Sequence, residues 1–240
     1  MKNMRNQIFA LVVLITGTLS FTACNKKAEE IQALVSNSEA TEILETMITE
    51  RTAGLTMPTV DMAAILETVE NNCSVAGDTT YSLTKTLGAA TYNRNFSLNW
   101  LINCNQLNIP EDATFKVTGA GTFAGVNWTG ETACTGDMAF TGLSGQATEY
   151  SASGSYLYTG TLTGDLRRTD PSVTCEADLS LTNLRISKTT NQITAGTGTA
   201  TLKATATSGE TITVTASIVF NGNGSVTVNV NGRERTFEQN

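Results

Sequence analysis

Hydrophobic positions change their spacing twice along this chain of 240 residues. Near the N terminus, Ile8, Phe9 and Ala10-Leu11-Val12-Val13-Leu14-Ile15 form one apolar run behind Lys2 and Arg5, the layout of an export signal. The run is too short and too soon interrupted to span a membrane as a helix. Farther on, apolar residues recur every three or four positions: Ala40, Ile43, Leu44, Met47 and Ile48, then Met62, Ile65, Leu66 and Val69. That spacing predicts two short helices with one apolar stripe each. Asn37 or Ser38 is a capping residue for the first, Glu39 and Glu42 suit its first turn, and Gly54 sits where a helix stops. The second is expected from Thr59 to Asn71.

From Thr79 onward the period becomes two. Tyr81, Leu83 and Leu87 alternate with Ser82, Thr84 and Thr86. Tyr92, Phe96, Leu98, Trp100, Ile102 and Cys104 share one face, with Asn93, Asn95, Ser97, Asn99 and Asn103 on the other. Similar alternation continues through Phe115, Met138, Tyr156, Leu179, Leu202, Val214 and Val228. At Leu184 and Ile186 the parity slips, which predicts a bulge near Thr182-Asn183. Asn221-Gly222-Asn223-Gly224 and Asn231-Gly232 are hairpin turns. No helical pattern separates the strands, so they are expected to be antiparallel neighbours. The fold class is therefore mainly β: an antiparallel meander of about ten strands forming a curved sheet or barrel, with one or two N-terminal helices packed on it. A two-sheet β-sandwich is the alternative. The expected layout is a signal peptide at 1–23, a lipidated tether at 24–37, a helical segment at 38–72 and one β domain at 73–240.

Composition narrows the chemistry. The chain has no histidine, so no Ser-His-Asp triad and no histidine-ligated metal centre can form. With 15 basic residues against 22 acidic ones, it lacks the basic footprint that nucleic acid requires. Nine of the acids fall in residues 24–72, against three basic residues there, so the acidity belongs mainly to the N-terminal segment. Carboxylates are the remaining acid–base groups. Glu111, Asp112, Glu131, Asp137, Glu149, Asp165, Glu176 and Asp178 lie mostly beside turn residues, and nothing in their spacing pairs them across a cleft. No calcium-loop pattern is present. No catalytic residue, metal ligand or cofactor is expected.

The small Thr22-Ala23 pair directly before Cys24 resembles a bacterial lipobox, with Phe21 where that pattern has an aliphatic residue. The resemblance implies cleavage before Cys24 and a lipid on it: a thioether-linked diacylglycerol and an amide-linked chain of the palmitate type, together a stable anchor. Asn25 gives no inner-membrane retention signal, and Lys26-Lys27-Ala28-Glu29-Glu30 is similar to the charged segments that route some lipoproteins to the cell surface. With Ile102-Asn103-Cys104, Asn108-Ile109-Pro110 and the two terminal hairpins, the chain resembles uncharacterised Thr/Gly-rich lipoproteins of Bacteroidetes type. That resemblance implies a place in the bacterial cell envelope, at the outer membrane and on its periplasmic or exposed face. It brings no activity with it.

Four cysteines remain beside Cys24: Cys73, Cys104, Cys134 and Cys175. An even number in an exported chain implies two disulfides. Three pairings are possible, and the expected one joins sequence neighbours, Cys73–Cys104 and Cys134–Cys175. Three further residues are candidates for ligand binding. Arg94 falls by parity on the apolar face between Tyr92 and Phe96, where burial demands a carboxylate or an anionic ligand. The simpler expectation is that Arg94 lies near a strand end and snorkels to water. Lys85, in phase with Leu83 and Leu87, invites the same two readings. Trp128, beside Gly125, Asn127 and Gly130, fits a short strand near a loop and could line a lipid or sugar site. The leading functional expectation is a non-catalytic envelope lipoprotein that binds a protein, glycan or lipid partner. A barrel for a lipid or small apolar ligand comes second, and a carboxylate-based glycan hydrolase a distant third.

Overall fold

A computed structural model describes residues 36–69, 72–124, 128–164 and 172–239. The expected signal peptide, Cys24 and nearly all of the tether lie outside the described residues.

Helix α1 spans Asn37–Ile48. Ser36 caps it, accepting from the Glu39 backbone N–H at 3.2 Å, while the Glu39 carboxylate accepts from the Ser36 N–H at 2.7 Å. This capping box starts the helix one or two residues before the position expected from the sequence. Ala40, Ile43, Leu44, Met47 and Ile48 are buried, as the stripe predicts. The helix ends inside the protein, so its last carbonyls need donors. The Leu55 N–H reaches the Met47 carbonyl at 2.8 Å, and the Thr56 hydroxyl takes that of Ile48. Between the helices lie a 3-10 turn, Glu50–Thr52, and Ala53 in the left-handed region. At Gly54 a side chain would stand 2.6 Å from the Met47 carbonyl group, so only glycine lets the chain fold back this tightly. Helix α2, Thr56–Val69, starts three residues earlier than expected because Pro58 is tolerated in a first turn.

Ten strands follow: β1 Ala76–Leu87, β2 Ala90–Cys104, β3 Pro110–Ala124, β4 Trp128–Thr141, β5 Glu149–Gly164, β6 Ser172–Ser187, β7 Ile193–Ala206, β8 Thr211–Phe220, β9 Ser225–Val230 and β10 Arg233–Glu238. All pair antiparallel in sequence order within one sheet. The meander therefore holds, and the two-sheet sandwich does not. β1 and β10 form the two edges rather than pairing with each other, so the sheet is curved but not closed into a barrel. One face carries Thr, Ser and Asn to solvent. The other buries Phe, Tyr, Leu, Val and Ala, and joins the stripes of both helices in one core. The expected bulge is present: the β6–β7 register shifts between Thr182 and Arg185, with Asn183 at a φ of 50°. The Asn183 N–H, lost to the ladder, finds the Ser153 hydroxyl at 3.0 Å. Both terminal hairpins form where expected.

One disulfide, Cys73–Cys104, ties the approach to β1 to the end of β2, with Cα atoms 5.6 Å apart. The second expected bridge is corrected: Cys134 and Cys175 are free, buried thiols. Cys134 is on β4 and Cys175 on β6, with β5 paired between them. Two strand spacings amount to about 9.6 Å. A disulfide tolerates Cα separations only to roughly 7 Å.

Candidate functional site

Strand register brings three rows of inward-facing residues together across β1 to β5. The middle row runs Leu83, Arg94, Gly121, Thr132, Gly160. One flanking row is Lys85, Tyr92, Phe123, Gly130, Leu162. The other is Tyr81, Phe96, Gly119, Cys134, Tyr158. Two glycines in the middle row leave a trough between walls of aromatic rings. Arg94 lies along it. At Gly121 a side chain would stand 2.7 Å from the Arg94 Cδ and would also meet the Asn93 carbonyl oxygen, so the arginine passes over the space that Gly121 leaves empty. It thereby reaches Thr132, two strands away, and its Nη1 donates to the Thr132 hydroxyl.

Arg94 is 4 % exposed. The snorkelling expectation is thus corrected: Tyr92 and Phe123, stacked with ring centroids 6.1 Å apart, stand in the row beside it, and Arg94 stays below the surface. Nε and Nη2 of Arg94 have no hydrogen-bond partner, and no carboxylate pairs with the guanidinium among the described residues. Burial pulls its pKa down, while Tyr158, Cys134 and Tyr92 act in the opposite direction. The Tyr158 hydroxyl meets the Cys134 thiol, and burial drives its pKa well up. The Cys134 thiol beside it is pushed up to about 11, again chiefly by burial.

Trp128 opens β4 at the end of this trough. It is buried, and its indole N–H has no partner. Phe123, Trp128, Thr132 and Leu162 of the sheet face Ile43 and Met47 of α1 across a small apolar space. Its free volume is about 10 Å³, the room of a single water. Thr132 links the two features, since it lines this space and accepts from Arg94. Lys85 does not join Arg94. Its ammonium lies 3.6 Å from the Glu50 carboxylate at a half-exposed rim. Beneath that rim Asp61 of α2 is partly buried, which raises its pKa; Tyr81 and Lys85 partly offset the rise.

Of the acids considered for catalysis, Glu111, Glu131, Asp137, Glu176 and Asp178 are exposed, and Asp165 lies outside the described residues. Among the described residues no three Cys, Asp or Glu side chains cluster to hold a metal. Thr132 and Gly121 escaped notice as members of a site. Their signal was the parity itself: a threonine and several glycines occur in phase with buried rings. The chain matches no family model, no curated protein and no solved structure.

Proposed function

We propose that this protein is a non-catalytic binding protein of the bacterial envelope, anchored through lipid on Cys24, that takes a small apolar ligand between α1 and the inner face of its sheet. One observation carries the reading: a buried arginine with two idle donors sits beside an apolar space capped by a single helix. Leaving a charge buried without a partner costs several kcal/mol, a cost that a fold without a ligand could avoid with methionine or leucine. Helix α1 covers the space with its buried stripe. Its polar links to the β9–β10 end are Asn231 to Asn37 at 3.0 Å and Arg235 to Glu42 at 3.6 Å, both exposed. On this reading a ligand enters by displacing α1 from the sheet, against its apolar stripe and the hydrogen bonds that close its last turn. The absence of histidine and the exposure of Glu111, Glu131, Asp137, Glu176 and Asp178 support a role without catalysis.

Two measurements test this. Cys24→Ser should release the protein from membranes into the soluble fraction; persistence on membranes would remove the anchor from the account. Trp100→Phe leaves Trp128 as the sole indole in the chain. Titration of that variant with medium-chain amphiphiles should shift Trp128 emission with saturation. An unchanged spectrum across acids, alcohols and esters would refute the ligand reading.

A further inference from the structure

We infer that the ligand is an amphiphile with a single carboxylate head, gripped edge-on by Nε and Nη2 of Arg94, and that its aliphatic tail lies under α1. The inference rests on the proposed ligand-binding function and specifies its chemistry.

The identity of the idle atoms decides the head group. In a guanidinium, the N–H of Nε and one N–H of Nη2 point the same way from adjoining nitrogens. That edge matches the two oxygens of a carboxylate in a bidentate pair. In Arg94 this edge is the free one, while the remaining nitrogen, Nη1, is spent on Thr132. Thr132 fixes the plane of the group and leaves its fork open. The Tyr158 hydroxyl, beside the Cys134 thiol, lies in the same neighbourhood.

Charge selects among oxyanions. Arg94 is the one cation buried on the inner face among the described residues; Lys85 is at the rim and committed to Glu50. One positive charge neutralises a carboxylate. A phosphate monoester, close to two negative charges, would leave a net charge in an aromatic trough at a cost of several kcal/mol. The tail follows from the walls: Phe123, Trp128 and Leu162 on the sheet and Ile43 and Met47 on α1 present carbon. The present space holds only about one water, so the tail enters by displacing α1 rather than by filling a standing cavity.

The test compares dodecanoate, dodecan-1-ol and dodecyl phosphate by calorimetric titration into the full mature chain carrying Cys24→Ser. Dodecanoate should bind roughly tenfold to a hundredfold more tightly than the alcohol, the worth of a charge-assisted bidentate contact, and more tightly than the phosphate. Arg94→Met should erase the preference for the acid while dodecan-1-ol still binds. Equal affinity for acid and alcohol would overturn the carboxylate inference and leave the apolar-ligand reading standing. A preference for the phosphate would replace the head group. Binding of none of the three would defeat both readings. The wild-type comparison of acid with alcohol decides the matter even if Arg94→Met fails to fold.

Discussion

Arg94 illustrates how one side chain is held by residues that lack one. Its path across the sheet exists because Gly121 has no side chain in its row, and because Thr132 waits at the far end to accept from Nη1. Two of its nitrogens remain unsatisfied. Without ligand, this arrangement should weaken the fold. Arg94→Met is expected to stabilise the unliganded protein by about 1–4 kcal/mol, as replacing buried charge with packed carbon does elsewhere; urea unfolding monitored by tryptophan emission measures it. A loss of stability would instead make Arg94 a strut. The same scale governs the free thiols. Burial pushes Cys134 up to about 11 and Cys175 to about 12, and the thiolate is the reactive form. Neither should react with iodoacetamide at pH 8 until the protein unfolds. The intact oxidised chain should weigh two hydrogens less than the reduced one, in keeping with the one disulfide among the described residues; a loss of four would restore the Cys134–Cys175 bridge.

At the level of elements, periodicity made much visible. Both helices, the strand faces, the bulge at Asn183 and the terminal hairpins all follow from spacing and turn residues, because each depends on contacts close in sequence. The inward phase of Arg94 was legible for the same reason. Its burial was not, since the rings beside it come from β2 and β3 together. The second disulfide fails on an element-scale argument that the pattern itself contained. A meander puts β5 between β4 and β6, and a covalent bridge cannot cross a strand lying in the same sheet. One pH effect also belongs here. Asp61 of α2 is packed near β1, and burial raises its pKa in the folded protein. The native state then holds its proton at a pH where the unfolded chain has released it. Stability from this residue is therefore present below the ordinary carboxylate pKa and is lost as pH rises through the elevated one. Asp61→Asn should flatten that decline and be the more stable form at neutral pH. Thermal melts from pH 4 to pH 7 would show it, and parallel curves for the two proteins would contradict it.

For the molecule as a whole, the decisive feature is that the sheet curves without closing. A closed barrel would fill its own interior; here two helices complete the core of an open sheet. The ten strands provide one wall, and a twelve-residue helix covers the small apolar space against it. Sequence patterning could not distinguish barrel from curved sheet, because closure depends on whether the first and last strands meet. Nor could it show that the space under α1 adjoins a half-paired arginine.

The central claim is that this interior receives an acidic amphiphile, and native mass spectrometry tests it most directly. The mature chain carrying Cys24→Ser should be exported so that Cys73–Cys104 forms, recovered from cells without detergent or organic solvent, and measured intact. A population heavier than the polypeptide by the mass of a long-chain carboxylic acid is expected, an adduct that Arg94→Met depletes. A bare polypeptide in both proteins, with dodecanoate failing to bind when added, would contradict it.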